Sequence, residues 1–242
     1  GLMIVRSLER KRLLSKKRLE PGSCILNHQK LDSNPCHVFT MIHPVPEFLA
    51  RQLDLVDRWH QAPYAVTEDI DFQSLLDRQH WANFSLWHEE DLARDPDATD
   101  LIIAQVKRNI DKLNQQRNDL IEQLDEYLLG HLQQVAKPFV DARINSETPG
   151  SIIDRLSISA LKIFHMEEQV NRADAAEDHR QRCQAKLLVL KEQRSDLGNS
   201  LSQLWEDLLH GRKQMKIYRQ MKMYNDATLN PVLYRRSKGS RS

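Results

Sequence analysis

Three groups of residues in this chain have types and spacings suited to chemistry. The first lies in two similar stretches, QQRNDLIEQL at 115–124 and EQRSDLGNSL at 192–201. Arg117 and Arg194 each interrupt a leucine-rich helical pattern, where a guanidinium can pair with a buried carboxylate or grip an anionic ligand through two parallel hydrogen bonds. The second is a repeated H-x-x-D/E spacing, His88 with Asp91 and His165 with Glu168. It puts an imidazole and a carboxylate on one helical face, half of what a divalent-metal site between helices needs. The third is E-x-x-D, in Glu68 with Asp71 and Glu122 with Asp125, four carboxylates that could hold magnesium against a nucleotide phosphate. The chain has no Walker loop, no G-x-G-x-x-G, no G-x-S-x-G and no zinc-finger spacing.

The elements that must position these groups are helical. Leu49, Leu53, Val56 and Trp59 mark a first helix that Pro63 ends. Further helices are expected at about 71–94, 100–135, 151–172 and from about 179 to 211. RDPDATD (94–100) and NSETPG (145–150) supply the stop and N-cap residues between them. Ile103, Val106, Ile110, Leu113, Arg117, Leu120, Leu124 and Tyr127 form an a/d seam, and Cys183, Leu187, Leu190, Arg194, Leu197, Leu201 and Leu204 form another.

With a constant shift of 77 residues and no gap, 74–124 aligns on 151–201 with 13 identities in 51 positions. They include Asp77/Asp154, Arg78/Arg155, His88/His165, Arg117/Arg194 and Asp119/Asp196. Such a period reads as a duplication. The expected fold is therefore all-α: an antiparallel helical bundle of two duplicated long hairpins related by a pseudo-twofold axis, plus an N-terminal helix. Folding each hairpin about its turn predicts the pairs Asp77–Arg117 and Asp154–Arg194, with Arg78–Asp119 and Arg155–Asp196 beside them. These pairs either fix the register between helices or line a polar chamber for an anionic ligand. The same folding sets His88 against Val106 and Lys107, and His165 against Cys183 and Gln184. Those are poor metal ligands, so packed histidines are expected first and a metal centre second.

Charge is uneven beneath a formal net of +1. Residues 1–30 carry eight Lys/Arg against two acids and residues 212–242 nine against one, leaving an acidic body with basic ends. Three unpaired-looking cysteines, Cys24, Cys36 and Cys183, fit a reducing compartment. No apolar run approaches a membrane span, so the cytoplasm is the expected location. The basic stretch at 3–20 allows peripheral membrane contact. In the C-terminal segment, Tyr218, Met221 and Tyr224 are expected to pack back on the body while the basic residues pair with its acidic surface.

WHEEDLARDPDATD, LNQQRNDLIEQLD, ETPGSIIDRLSISALKIFHM and KMYNDATLNPVLY together resemble an uncharacterised bacterial family, domain of unknown function 4254, over about residues 42–234. The resemblance implies a bacterial cytoplasmic protein, sometimes encoded near glycosyltransferase and lipopolysaccharide genes. It implies no established activity and transfers no catalytic residue. The domain reading is a basic extension (1–42), one helical domain (43–234) and a basic tail (235–242). The leading functional expectation is a non-catalytic interaction or regulatory protein tied to envelope polysaccharide synthesis, with a protein partner or a second copy of the chain. The alternative is a binder of nucleotides or sugar phosphates, or a metal-dependent hydrolase, using the Arg/Asp chamber or the carboxylate cluster. No cofactor is expected first, a divalent metal second, and nucleic acid is the least favoured partner.

Overall fold

The structure, a computed structural model, describes residues 45–62, 71–233 and 235. They are mostly helical, with five long helices: α1 (Val45–Gln61), α2 (Phe72–Leu92), α3 (Asp100–Val135), α4 (Pro149–Val170) and α5 (Glu177–Leu209). Helix starts follow local chemistry. Asp71 caps α2 by accepting from the Ser74 N–H at 2.6 Å, and Thr99 caps α3. At α4, Thr148 and Ser151 form a reciprocal capping box, with Pro149 opening the helix.

Helix α2 packs along α3, and α4 along α5. Asn109 donates to Glu89, and Phe72 stacks on Tyr127, so α2 and α3 run antiparallel. One apolar core joins α2 to α5 and includes Leu124, Leu128, Leu156 and Trp205, each with no exposed surface. Each such side chain contributes about 1.5–3 kcal/mol of transfer free energy. A second cluster binds α1 to α2 and α4 through Val56, Trp59, Phe84, Ala160 and Leu161.

Two three-residue strands were not expected. β1 (Arg143–Asn145) and β2 (Lys213–Met215) pair in parallel, Arg143 opposite Lys213. Strands this short carry no alternation to read. Gly211 sets the entry to β2 with φ of 70°, and a Cβ there would meet the Lys137 carbonyl oxygen at 2.4 Å. No helix among the described residues is long and apolar enough to cross a membrane. Residues 3–20, Cys24, Cys36 and Glu68 lie outside the described residues.

Candidate metal centre

The repeated arginines do sit on inward faces, but their partners differ from the expected ones. Arg117 pairs with Asp154, across hairpins, through its Nε at 2.7 Å and a second bond from Nη2. Gln79 (2.7 Å) and Asn83 (2.9 Å) donate to the same carboxylate. Asp77 is taken by Arg51 of α1, at 3.0 Å from Nε and 2.5 Å from Nη2. Arg194 donates to the backbone carbonyl of Leu156 and, at 2.9 Å each, to Leu49 O and Gln52 Oε1. None of these acceptors is a carboxylate, and burial pulls its pKa down to about 10. The expected pairs Asp77–Arg117 and Asp154–Arg194 are thus corrected. Contacting residues of α2 and α3 have numbers summing to 198 and 199, about one helical turn from the 194 that would join Asp77 to Arg117. Helix α1, which has no counterpart in the repeat, then supplies partners to both residues left over.

The flanking pairs do not form either. Arg78 donates to Ser74 O at 3.4 Å, Asp119 accepts from Gln115, Arg155 pairs with Glu147, and Asp196 is exposed. Beside the ion pair, His80 Nε2–H donates to Gln52 O at 2.8 Å, so its Nδ1 accepts from the Ser157 hydroxyl at 2.6 Å. A serine held by an oriented histidine has the form of an activated nucleophile. Ser157 and His80 are 0% and 1% exposed, however, so no substrate reaches them and the pair is structural.

Among the described residues the carboxylates Asp71, Glu122 and Asp125 do not converge on one site. Asp71 is a helix cap, and Glu122 accepts from the Gln220 N–H at 2.9 Å. Asp125 is buried and spent on the start of α4, accepting from Thr148 Oγ1 (2.5 Å) and Gly150 N (2.7 Å). Burial raises its pKa to about 6. Glu68 lies outside the described residues.

The histidines behave otherwise. His88 of α2 and His165 of α4 face each other, ring centroids 5.9 Å apart, instead of facing α3 and α5. His60, near the C-terminal end of α1, completes a cluster in which one ring nitrogen of each lies within 4.8 Å of the others. An ion about 2.0–2.1 Å from each nitrogen needs them about 3.4 Å apart, a small side-chain adjustment. His60 Nδ1 donates to Val56 O at 2.7 Å, and His165 Nδ1 to Glu168 Oε2 at 2.7 Å. The Nε2 atoms of His60 and His165 therefore carry lone pairs, and both are buried without a partner. Burial, more than the neighbouring imidazoles, lowers the pKa of His60 and brings that of His88 to about 4. His60 stacks on Phe164 and meets Phe84 edge-on, which fixes its ring.

In His60 and His165 this is the pattern of metal-ligating histidines: one nitrogen tied to a carbonyl or carboxylate, the other without a partner. Two buried acceptors left unsatisfied within one histidine cluster call for an explanation, and a bound ion would give it. A cavity of about 780 Å³ borders the cluster at His165. Asp91, Glu168, Lys162 and Lys186 line it together with Trp87, Met166, Val189 and Leu190. Burial raises the Asp91 carboxyl pKa.

Residues 73–217 match the family described as "Protein of unknown function (DUF4254)". The chain belongs to this family. No curated protein and no solved structure matches it. The family match spans α2 to β2, including His88 and His165, and stops short of the 42–234 expected from the motifs. Helix α1, with His60, Arg51 and Gln52, precedes the matched span. Sequence reasoning found two of the three histidines through their repetition. It missed His60 because nothing in the repeat corresponds to it. The one available signal was WHQ at the end of α1, an imidazole placed one residue beyond an apolar helix face.

Proposed function

We propose that this protein binds a divalent metal at His60, His88 and His165 and handles a small molecule in the adjoining cavity, metal-dependent hydrolysis being the chemistry such a centre supports best. The observation that carries this is the pair of buried, unpartnered Nε2 atoms, each on a ring whose Nδ1 is already held. Three neutral imidazoles suit zinc and leave one coordination position, where a bound ion would acidify water or polarise an anionic oxygen. Asp91, on the cavity wall one helical turn from His88, is placed to receive the proton of an attacking water. Zinc titration with metal analysis tests the reading. One ion per chain is expected in the wild type, and His60→Ala, His88→Ala and His165→Ala should each lose it. Stoichiometric binding surviving any two of those variants would refute the centre.

The proposal includes a single bundle domain built by duplication. Residues 77 apart meet one another, His80 with Ser157 and His88 with His165, as residues flanking a twofold axis do. The metal would lie close to that axis, and α1 would supply its asymmetric ligand.

A second reading, a docking role of the kind expected for a regulator of envelope polysaccharide synthesis, draws support from the C-terminal segment. Arg219 pairs with Glu126 as expected, but Met221 (86% exposed) and Tyr224 (64%) do not pack back on the body, and Tyr218 (64%) only borders a small pocket against α3. Light scattering on the full chain and on a variant with those three residues changed to serine tests self-association. A monomer in both cases would remove the second copy as the occupant.

A further inference from the structure

We propose that the cavity beside the histidine cluster takes an organic phosphate, its phosphoryl group between Lys162, Lys186 and the metal, its organic part against Trp87, Met166, Val189 and Leu190. The proposal rests on the metal reading above and adds the class of ligand.

The argument starts from the two lysines. Lys162 reaches the cavity from α4 and Lys186 from α5, and both are exposed. Lys191, next to Leu190 of the lining, is engaged with Glu167 at 2.8 Å. Lys162 and Lys186 form no ion pair among the described residues, although two carboxylates share the cavity with them. Of those carboxylates, Glu168 is bound to His165. Two ammonium groups and a dication outweigh the carboxylates of Asp91 and Glu168 and leave the volume net positive. A phosphoryl dianion, with three terminal oxygens, answers that charge better than a carboxylate does.

The rest of the wall argues for an organic group on that phosphate. Trp87 is stacked on His165 with centroids 4.9 Å apart and planes within 7°, so one ring face belongs to the centre. Val189 is 51% exposed on the α5 side, with Met166 and Leu190 beside it. Among the described residues no element covers these apolar surfaces. The cavity is open to solvent, and its volume of about 780 Å³ has room for a whole small molecule and far exceeds a phosphate ion. Gln169 and Gln193, also in the lining, offer amides to hydroxyl or carbonyl groups of such a molecule.

Calorimetry on the zinc-loaded full chain tests this with phenyl phosphate, inorganic phosphate and benzyl alcohol as probes. Phenyl phosphate is expected to bind at least about tenfold more tightly than inorganic phosphate, and benzyl alcohol to bind negligibly. The double variant Lys162→Ala/Lys186→Ala should weaken both phosphates by about tenfold or more while keeping zinc stoichiometry and melting temperature. Binding of phosphatidic acid vesicles in place of soluble phenyl phosphate, with the same lysine dependence, would assign the chemistry to a lipid headgroup. Zinc binding with unchanged phosphate affinity in the double variant would overturn the ligand class and leave the metal centre standing. No zinc binding at all would overturn both.

Discussion

An arginine on a buried helix face must find acceptors for five N–H donors, and Arg117 and Arg194 find them differently. Arg117 meets a carboxylate that is 6% exposed, so removing it strands a buried anion with only two amide donors. Arg117→Met is expected to cost about 3–5 kcal/mol in urea denaturation. Arg194 meets only carbonyl oxygens, and its Nε has no partner. Arg194→Met sheds a desolvated charge and should change stability by less than about 1.5 kcal/mol. Equal losses in the two variants would refute this division. That both arginines face inward was legible from the seam positions of 117 and 194. Their partners were not, because Arg51 and Gln52 compete for the same groups from a helix with no repeat to flag it. At the proposed metal centre, Glu168 would orient His165 without being needed as a ligand. Glu168→Gln should weaken zinc binding about 10–100-fold in a chelator competition, against outright loss in His165→Ala.

At the scale of elements, helix boundaries were legible to within a few residues because caps and prolines mark them chemically. Asp71, Thr99 and Thr148 each accept from an N–H of the first turn. The strands were not legible, since their pairing follows from where α3 and α5 end. The start of α4 shows how closely its helix and α3 approach. A Cβ on Gly150 would meet Asp125 Oδ1 at 2.7 Å and the backbone oxygen of Ile121 at 2.9 Å. Gly150→Ala must push α4 off α3, and a loss of about 1–3 kcal/mol is expected. Gly211→Ala adds a left-handed φ to a 2.4 Å clash with Lys137 O. A melting temperature lowered by several degrees in both variants would bear this out; an unchanged one would contradict the close packing.

For the whole molecule, the buried imidazoles set the response to acid. His80 has its pKa lowered to about 4, chiefly by burial, with Arg194 adding to the shift and Asp77 opposing it. A base whose folded pKa lies below its unfolded value keeps its contribution above about 6.5 and loses it as pH falls towards 4. The loss attributable to His80 is on the order of 2 kcal/mol by pH 5. Asp125, with its pKa raised, acts in the opposite sense: its contribution is fullest below 3.8 and fades as pH rises through about 6. Comparing the pH dependence of unfolding free energy in wild type and His80→Gln isolates the histidine. A parallel pair of curves would exclude it as the source.

Helix α1 holds three debts of the remaining four helices at once: the guanidinium for Asp77, the acceptors for Arg194 and the third imidazole. Beyond the apolar cluster around Val56 and Trp59, these polar contacts depend on one another, so α1 should open as one cooperative unit, and the ion would set how often. Amide hydrogen exchange in α1 should therefore accelerate when zinc is stripped, while α3 and α5 exchange as before.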